Sequence, residues 1–324
     1  MNQFGHQLRV SVFGESHGEV MGVTLDGVVP GIALSVADFE SDIARRKPGA
    51  KGTTPRVEED KPILATGVFN GFTTGAPLTI LFENKNTRST DYEKTKALFR
   101  PGHADFVAQK KYNGFQDYRG GGHFSGRLTL LLVAAGVVAK KVIDGINVHA
   151  SILSIGGETN IEAGLQKAID HKDSVGGVIE CKVTGVPVGL GEPLFDSLES
   201  MLAHAMFSIP AIKGVEFGSG FKAAEMFGSE HNDRHLDAEG ATASNHAGGI
   251  VGGISNGNEL VFRVAVKPTS SIGKEQETWN FGTNQMDTLQ VKGRHDLCIA
   301  LRVPVIVEAM TALVLADMKL RVNN

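Results

Sequence analysis

Apolar residues fall into short runs in the first third of the chain and into two long runs further on. Residues 8–13 and 21–25 are largely apolar and are split by Gly14-Glu15-Ser16-His17-Gly18, which predicts a strand, a polar turn and a second strand. Residues 35–46 open on a capping serine, carry an acid in the first turn and end on Arg45 and Arg46, the signature of a helix. Residues 63–69 and 77–83 predict a strand pair around a Gly-rich turn, whereas 84–122 are polar and Gly-rich with little regular pattern. In a compact protein such a long stretch is either functional or disordered. Residues 128–143 are apolar at most positions and predict a buried helix, as do 304–320, where Pro304 suits the first helical position.

The second half retraces the first. Gly27-Val28-Val29-Pro30-Gly31 precedes one predicted helix, and Gly185-Val186-Pro187-Val188-Gly189 precedes another at 196–206. Asn70-Gly71 and Asn256-Gly257 each stand beside strand-like runs, and each half closes on an apolar helix. The expected fold is α/β (α+β): a β-α-β sandwich of two related halves, about 8–143 and 177–320, with helices packed between sheets in one unit spanning 1–324. Chance recurrence of Gly-Val-Pro turns would leave the same letters.

Composition narrows the function classes. With 32 Lys and Arg against 36 Asp and Glu, the formal charge is −4, and no polybasic nucleic-acid surface is expected. Hydrophobic residues at 41% suffice for a substantial core. The two cysteines, Cys181 and Cys298, form no Cys-x-x-Cys pair, so neither a disulfide framework nor a cysteine zinc site is expected, and no metal is assigned. No basic-then-apolar leader and no long uncharged apolar run occurs, so the expectation is a cytoplasmic protein without a membrane partner.

Chemistry concentrates in the polar, Gly-rich segments. His17 lies in a turn between glycines, where backbone can approach a ligand closely, and an imidazole suits protonation of a departing anion. The turn alone suits a structural histidine equally. Phe99-Arg100-Pro101-Gly102-His103-Ala104-Asp105 places a cation, a second histidine and a carboxylate in one loop. Tyr118-Arg119-Gly120-Gly121-Gly122-His123-Phe124-Ser125-Gly126-Arg127 runs toward a predicted helix whose first amides could bind phosphate, though a flexible hinge fits the same glycines. It is neither a Walker loop nor a dinucleotide fingerprint. Ser244-Asn245-His246-Ala247-Gly248-Gly249-Ile250-Val251-Gly252-Gly253 and Lys267-Pro268-Thr269-Ser270-Ser271 supply further glycines and donors that suit a phosphorylated cofactor. Gly293-Arg294-His295-Asp296 offers one more anion clamp and a carboxylate. A cluster of arginines in a slightly acidic chain suits a small polyanion.

Taken in order, these blocks, together with Arg45-Arg46-Lys47-Pro48-Gly49, resemble chorismate synthase along nearly the whole chain. The resemblance implies anti-1,4 elimination of phosphate from 5-enolpyruvylshikimate 3-phosphate, with reduced FMN required and no net redox change. It implies that His17 protonates the departing phosphate, that His103 stands by the reduced flavin, and that Asp296 assists the flavin nitrogen that takes the proton. Candidates for FMN contact are His123, Phe124, Ser125, Ala211, Gly252, Lys267, Pro268, Thr269, Ser270, Ser271 and Arg294, and those for the substrate's anionic groups are Arg45, Arg46, Arg100, Arg119 and Arg127. It also implies a homotetramer; no further domain able to reduce flavin is visible, so a monofunctional enzyme fed by a separate flavin reductase or other source of reduced flavin is expected.

The chain departs from the family in places. Many members read Gly-Gly-Gly-Arg-Ser-Ser where this one has Gly120-Gly121-Gly122-His123-Phe124-Ser125, which removes a permanent cation and a hydroxyl. Lys47 replaces a third arginine, and Gly52 stands where many have an arginine in a segment linked to NADPH. Residues 155–174 and the C-terminal end look trimmed. Two rivals stand beside this reading: another flavin-dependent phosphate lyase or oxidoreductase, and a non-catalytic flavin- or phosphate-binding protein.

Overall fold

A computed structural model describes residues 2–49, 52–53, 59–85, 97–291 and 296–322. The N-terminal part contains strands β1 (Gln3–Phe4), β2 (Arg9–Gly14) and β3 (Val20–Asp26), helix α1 (Glu40–Arg46), β4 (Ile63–Thr66), a small hairpin β5 (Val68–Phe69) and β6 (Phe72–Thr73), then β7 (Leu78–Glu83), α2 (Asp105–Lys111) and α3 (Thr129–Val142). The C-terminal part follows with β8 (Asn147–Ile155), α4 (Ile161–Asp170), β9 (Gly177–Thr184), α5 (Leu198–Ser208), β10 (Ile212–Phe217) and α6 (Gly228–His231). Hairpin β11 (Ile250–Val251) and β12 (Ile254–Ser255), strand β13 (Leu260–Val266), hairpin β14 (Glu275–Asn280) and β15 (Gln285–Gln290), and α7 (Pro304–Val322) complete it.

Two antiparallel sheets form the outer layers, one ordered β1-β2-β3-β7-β4 and the other β10-β13-β9-β8. Period-two alternation sets their inner faces: Met21, Val23 and Leu25 on β3 and Leu78, Ile80 and Phe82 on β7 are fully buried, as are Ile179 and Val183 on β9. Helices α3 and α7 lie between the sheets, α3 against β3 and α7 against β8 and β9. Every residue of α7 from Val305 to Met318 is buried, as a helix covered on all sides must be. The two helices cross where Gly136 meets Ala309, so closely that a Cβ on Gly136 would lie 2.3 Å from that of Ala309. This is the sandwich of sheets around helices that the hydrophobic pattern predicts.

The two sheets share a topology. With the two-residue edge strand β1 set aside, both are arranged first-second-fourth-third in chain order, β2-β3-β7-β4 in one and β8-β9-β13-β10 in the other. The second sheet starts at Asn147, ahead of the boundary at 177 read from the pattern, because β8 pairs with β9 along its length. Two helices that the pattern missed, α2 and α4, fall in stretches read as irregular or trimmed.

Polar groups buried in the centre are tied down. Glu308 on α7, 2% exposed, accepts both guanidinium nitrogens of Arg45 at 2.6 and 2.7 Å, Lys140 at 3.1 Å and the Ala150 amide at 3.0 Å. Asp317 accepts the consecutive amides of His6, Gln7 and Leu8 and so anchors the N-terminal strands to the central helix. No helix among the described residues is long and apolar enough to cross a membrane.

Candidate active site

The turn carrying His17 joins β2 to β3 and is held from two sides. Asn84, just past β7, donates to the carbonyls of Glu15 and Gly18 at 3.2 and 2.9 Å. The Ser16 amide donates to Gly122 O at 3.2 Å and its hydroxyl to Gly120 O at 3.2 Å. The result is a buried imidazole, 6% exposed, pressed against the triple glycine.

Those glycines all take positive φ, 59°, 83° and 54°, a run that only residues lacking a Cβ adopt without strain. Space demands it as well. A Cβ on Gly120 would stand 2.5 Å from His17 Cδ2, and one on Gly121 would stand 3.3 Å from His103 Cε1. Consecutive glycines thus face the two histidines, which stand 86 positions apart in the chain and meet across one turn of bare backbone. A pocket beside it is lined by Phe99, Arg100, His103, Tyr118, Gly121 and Phe124.

The Arg-Pro-Gly-His loop docks on the segment that follows β13. Lys267 Nζ and Ser270 Oγ donate to Gly102 O at 3.0 and 2.8 Å, and Arg100 donates to Ser271 Oγ at 3.0 Å. Lys267 is partly buried and lies near the Lys213 charge; burial first, and that like charge second, lower its pKa, as expected of a cation in an electropositive corner. The Lys267 amide donates to the carbonyl of Ala211, a residue at φ 75°. Thr269 O accepts Ser174 Oγ at 2.7 Å, and Pro268 packs beside Gly176. Hairpin β14–β15 closes the flank, with Phe281 stacked on Phe106 at 5.0 Å and near Phe99 at 5.1 Å.

Each described arginine of the predicted set already has a protein partner. Arg45 is paired with Glu308, and Arg119 with Asp117, whose carboxyl it holds below the usual range. Arg100 is bidentate to Asp105, with Nε and Nη2 donating at 2.7 and 2.8 Å. Arg46 and Arg127 are buried: Arg46 reaches Thr129 and the carbonyls of Gly126 and Arg127, and both arginines face Asp60. Arg127 also donates to Asn84, which carries the His17 turn, so its geometry supports that turn from beneath.

Other expected residues have different surroundings. His123 donates from Nδ1 to Gly14 O at 2.8 Å, and Phe124 lies against Tyr112 with centroids 6.2 Å apart. Ser125 caps the short turn before α3 by accepting the Arg127 amide at 3.3 Å, so a side chain occupies the helix start that the glycines were expected to present. Gly252 forms the β11–β12 turn beside the start of α5, where the Leu198 amide donates to Gly253 O. Asp296 pairs with Arg302 at 3.2 Å on the turn entering α7. Arg294 lies outside the described residues.

The family model described as chorismate synthase matches residues 8–320. This chain belongs to the chorismate synthase family. It is 65% identical to the chorismate synthase of Chitinophaga pinensis, covering 99% of this chain and 97% of that one, and 47% identical to that of Dehalococcoides mccartyi at the same coverage. Among solved structures, one described as a crystal structure of chorismate synthase superposes with a TM-score of 0.75 at 27% identity, covering 98% of this chain and 93% of that one. The relatives are chorismate synthases, lyases of the shikimate pathway, and they match this chain along nearly its whole described fold.

The sequence pattern marked Asp105 as a carboxylate of the Arg100 loop, but not the pairing of carboxylates with arginines in this chorismate synthase family member. Asp105, Asp117, Asp60 and Glu308 each hold an arginine. Proximity to Arg100 and Arg119 in the chain signalled the first two; nothing local signals Asp60 or Glu308, whose partners come from distant elements.

Proposed function

We propose that this protein converts 5-enolpyruvylshikimate 3-phosphate to chorismate by anti-1,4 elimination of phosphate, with reduced FMN bound beside the triple-glycine turn. The observation that carries the reading is the apposition of His17 and His103 on Gly120 and Gly121. An elimination of this kind needs a proton donor for the departing phosphate and a separate acceptor for the ring proton. His17, buried at the turn, is the donor to the phosphate oxygen.

The residues present fit the cofactor. Gly121 brings bare backbone to the pocket, Phe99, Tyr118 and Phe124 supply apolar walls, and Lys267, beside Ser270, supplies an ammonium donor in an electropositive corner suited to a phosphate. Reduced flavin, when bound, supplies an electron-rich ring and a nitrogen that takes the substrate's proton, without net redox change. His103 stands at the flavin side, and Arg119, about two-fifths exposed and next to the His17 turn, is a cation accessible to a substrate carboxylate. Asp296 and Arg294 complete the set as the family resemblance implies. The protein works in the cytoplasm as a homotetramer and draws reduced flavin from a separate source.

Anaerobic assay of purified protein with reduced FMN and the substrate tests this directly, chorismate being the expected product. His17→Ala should abolish most turnover while FMN titration stays saturable. A wild-type rate in that variant removes His17 from the reaction, and flavin binding without any product from the parent protein favours the non-catalytic reading.

A further inference from the structure

We propose that Asp105 is a positioning residue that holds His103 as the Nδ1–H tautomer and aims its Nε2 at the Gly121 turn. The inference rests on the reading that His103 works at the cofactor. His103 Nδ1 lies 2.7 Å from Asp105 Oδ1 and 3.1 Å from Arg100 Nη2. One ring nitrogen cannot both donate to the carboxylate and accept from the guanidinium. The shorter contact and the charges decide it: Arg100 Nη2 already donates to Asp105 Oδ1 at 2.8 Å, so the proton on Nδ1 goes to the carboxylate and the guanidinium lies alongside. Nε2 is then the atom left for chemistry, and it is the ring edge, with Cε1, that Gly121 faces.

Asp105 is built for this task. Its carboxyl opens α2, and its two oxygens take the Arg100 Nε, the Arg100 Nη2, the Arg100 amide and His103 Nδ1. Burial raises its pKa, but the hydrogen bonds from Arg100 and His103 outweigh that and hold it well below the usual carboxylate range, so the group stays an acceptor wherever the enzyme works. Arg100 in turn reaches Ser271, which ties the triad to the segment after β13 and fixes the imidazole against both halves of the fold. Arg100 thereby acts chiefly through Asp105.

Asp105→Asn keeps the shape and changes the pattern. An amide cannot accept from both Arg100 and His103 through two oxygens; once its oxygen faces Arg100 Nε, its NH2 faces Nδ1 and favours the opposite tautomer. Replacing the carboxylate that orients a catalytic histidine costs up to about 10⁴-fold in protease triads through this change of tautomer, and we expect a fall in kcat here of tenfold or more, with the KM for substrate little altered. The direct readout is ¹⁵N NMR of histidine-labelled protein at about pH 9, above the ordinary imidazole range, with the His103 signals assigned by their loss in His103→Gln.

The parent should show a protonated Nδ1 and a pyridine-like Nε2, and Asp105→Asn should lose that pattern. Asp105→Glu should restore part of the rate, as a merely structural role in the loop would not require. A parent spectrum with the proton on Nε2, or a His103 signal unchanged in Asp105→Asn, overturns the proposal. Because the parent spectrum needs neither cofactor nor turnover, it decides the point even if Asp105→Asn is unstable. It also separates failure of this inference from failure of the proposed reaction, which would appear as absence of chorismate from the parent.

Discussion

Replacing Gly120 by alanine tests the imidazole turn with the smallest possible change. The new Cβ would lie 2.5 Å from His17 Cδ2, 2.6 Å from its Nε2 and 2.6 Å from Ser16 Oγ. Ordinary contact begins near 3.4 Å, so the ring must retreat by about 0.9 Å or the turn must open. The left-handed conformation, φ 59°, adds roughly 1–2 kcal/mol for a residue that carries a Cβ. A displacement of about 1 Å in a reacting group costs on the order of 10²-fold in rate. We therefore expect Gly120→Ala to lose about two orders of magnitude in chorismate formation while urea denaturation shows a loss of only about 1–3 kcal/mol. Gly228→Ala serves as the control. Nothing lies within 4 Å of its Cβ position and its φ is not left-handed, so rate and stability should hold. A folded Gly120→Ala enzyme that turns over at the parent rate would refute the claim that His17 must sit against this backbone.

Two further outcomes follow from buried groups. Glu308 is pulled up by burial but held below the ordinary carboxyl range by Arg45, the Ala150 amide and Lys140, so its stabilisation is complete above the unfolded value of about 4.3 and is lost as pH falls through the lowered folded value. Glu308→Gln should lose about 3 kcal/mol at neutral pH and flatten the acid limb of a denaturation series; an unchanged limb would contradict the assignment. Burial pushes the Cys181 thiol up to about 12, so native protein should resist alkylation at that residue at pH 8 and accept it after unfolding, as peptide mass analysis would report.

The parts of the fold legible in the chain are those with a strong apolar period. Strands β3 and β13 and the central helices α3 and α7 bury most of their residues, β7 buries every second one, and the boundaries of these elements and of β2 fall within a few positions of those expected. Helix α2 was invisible because only Ala108 of its seven residues is buried, and hairpin β14–β15 because its faces are polar and exposed. At the site, the glycine run and the two histidines stood out by composition. The pairing of Arg100 with Asp105 and of Arg46 and Arg127 with Asp60 did not, so guanidinium groups that read as free anion clamps are already engaged within the protein.

Local chemistry alone determined which segments carry imidazole, hydroxyl and bare backbone, because side-chain type and the steric freedom of glycine are properties of single positions. Which of these meet was decided by the tertiary structure. Two sheets close around α3 and α7, carry the β2–β3 turn and the end of β13 to one place, and set the distance between His17 and His103 by the thickness of two glycines. That distance depends on burial of apolar faces remote from the site, a sum over the whole chain that no single segment contains.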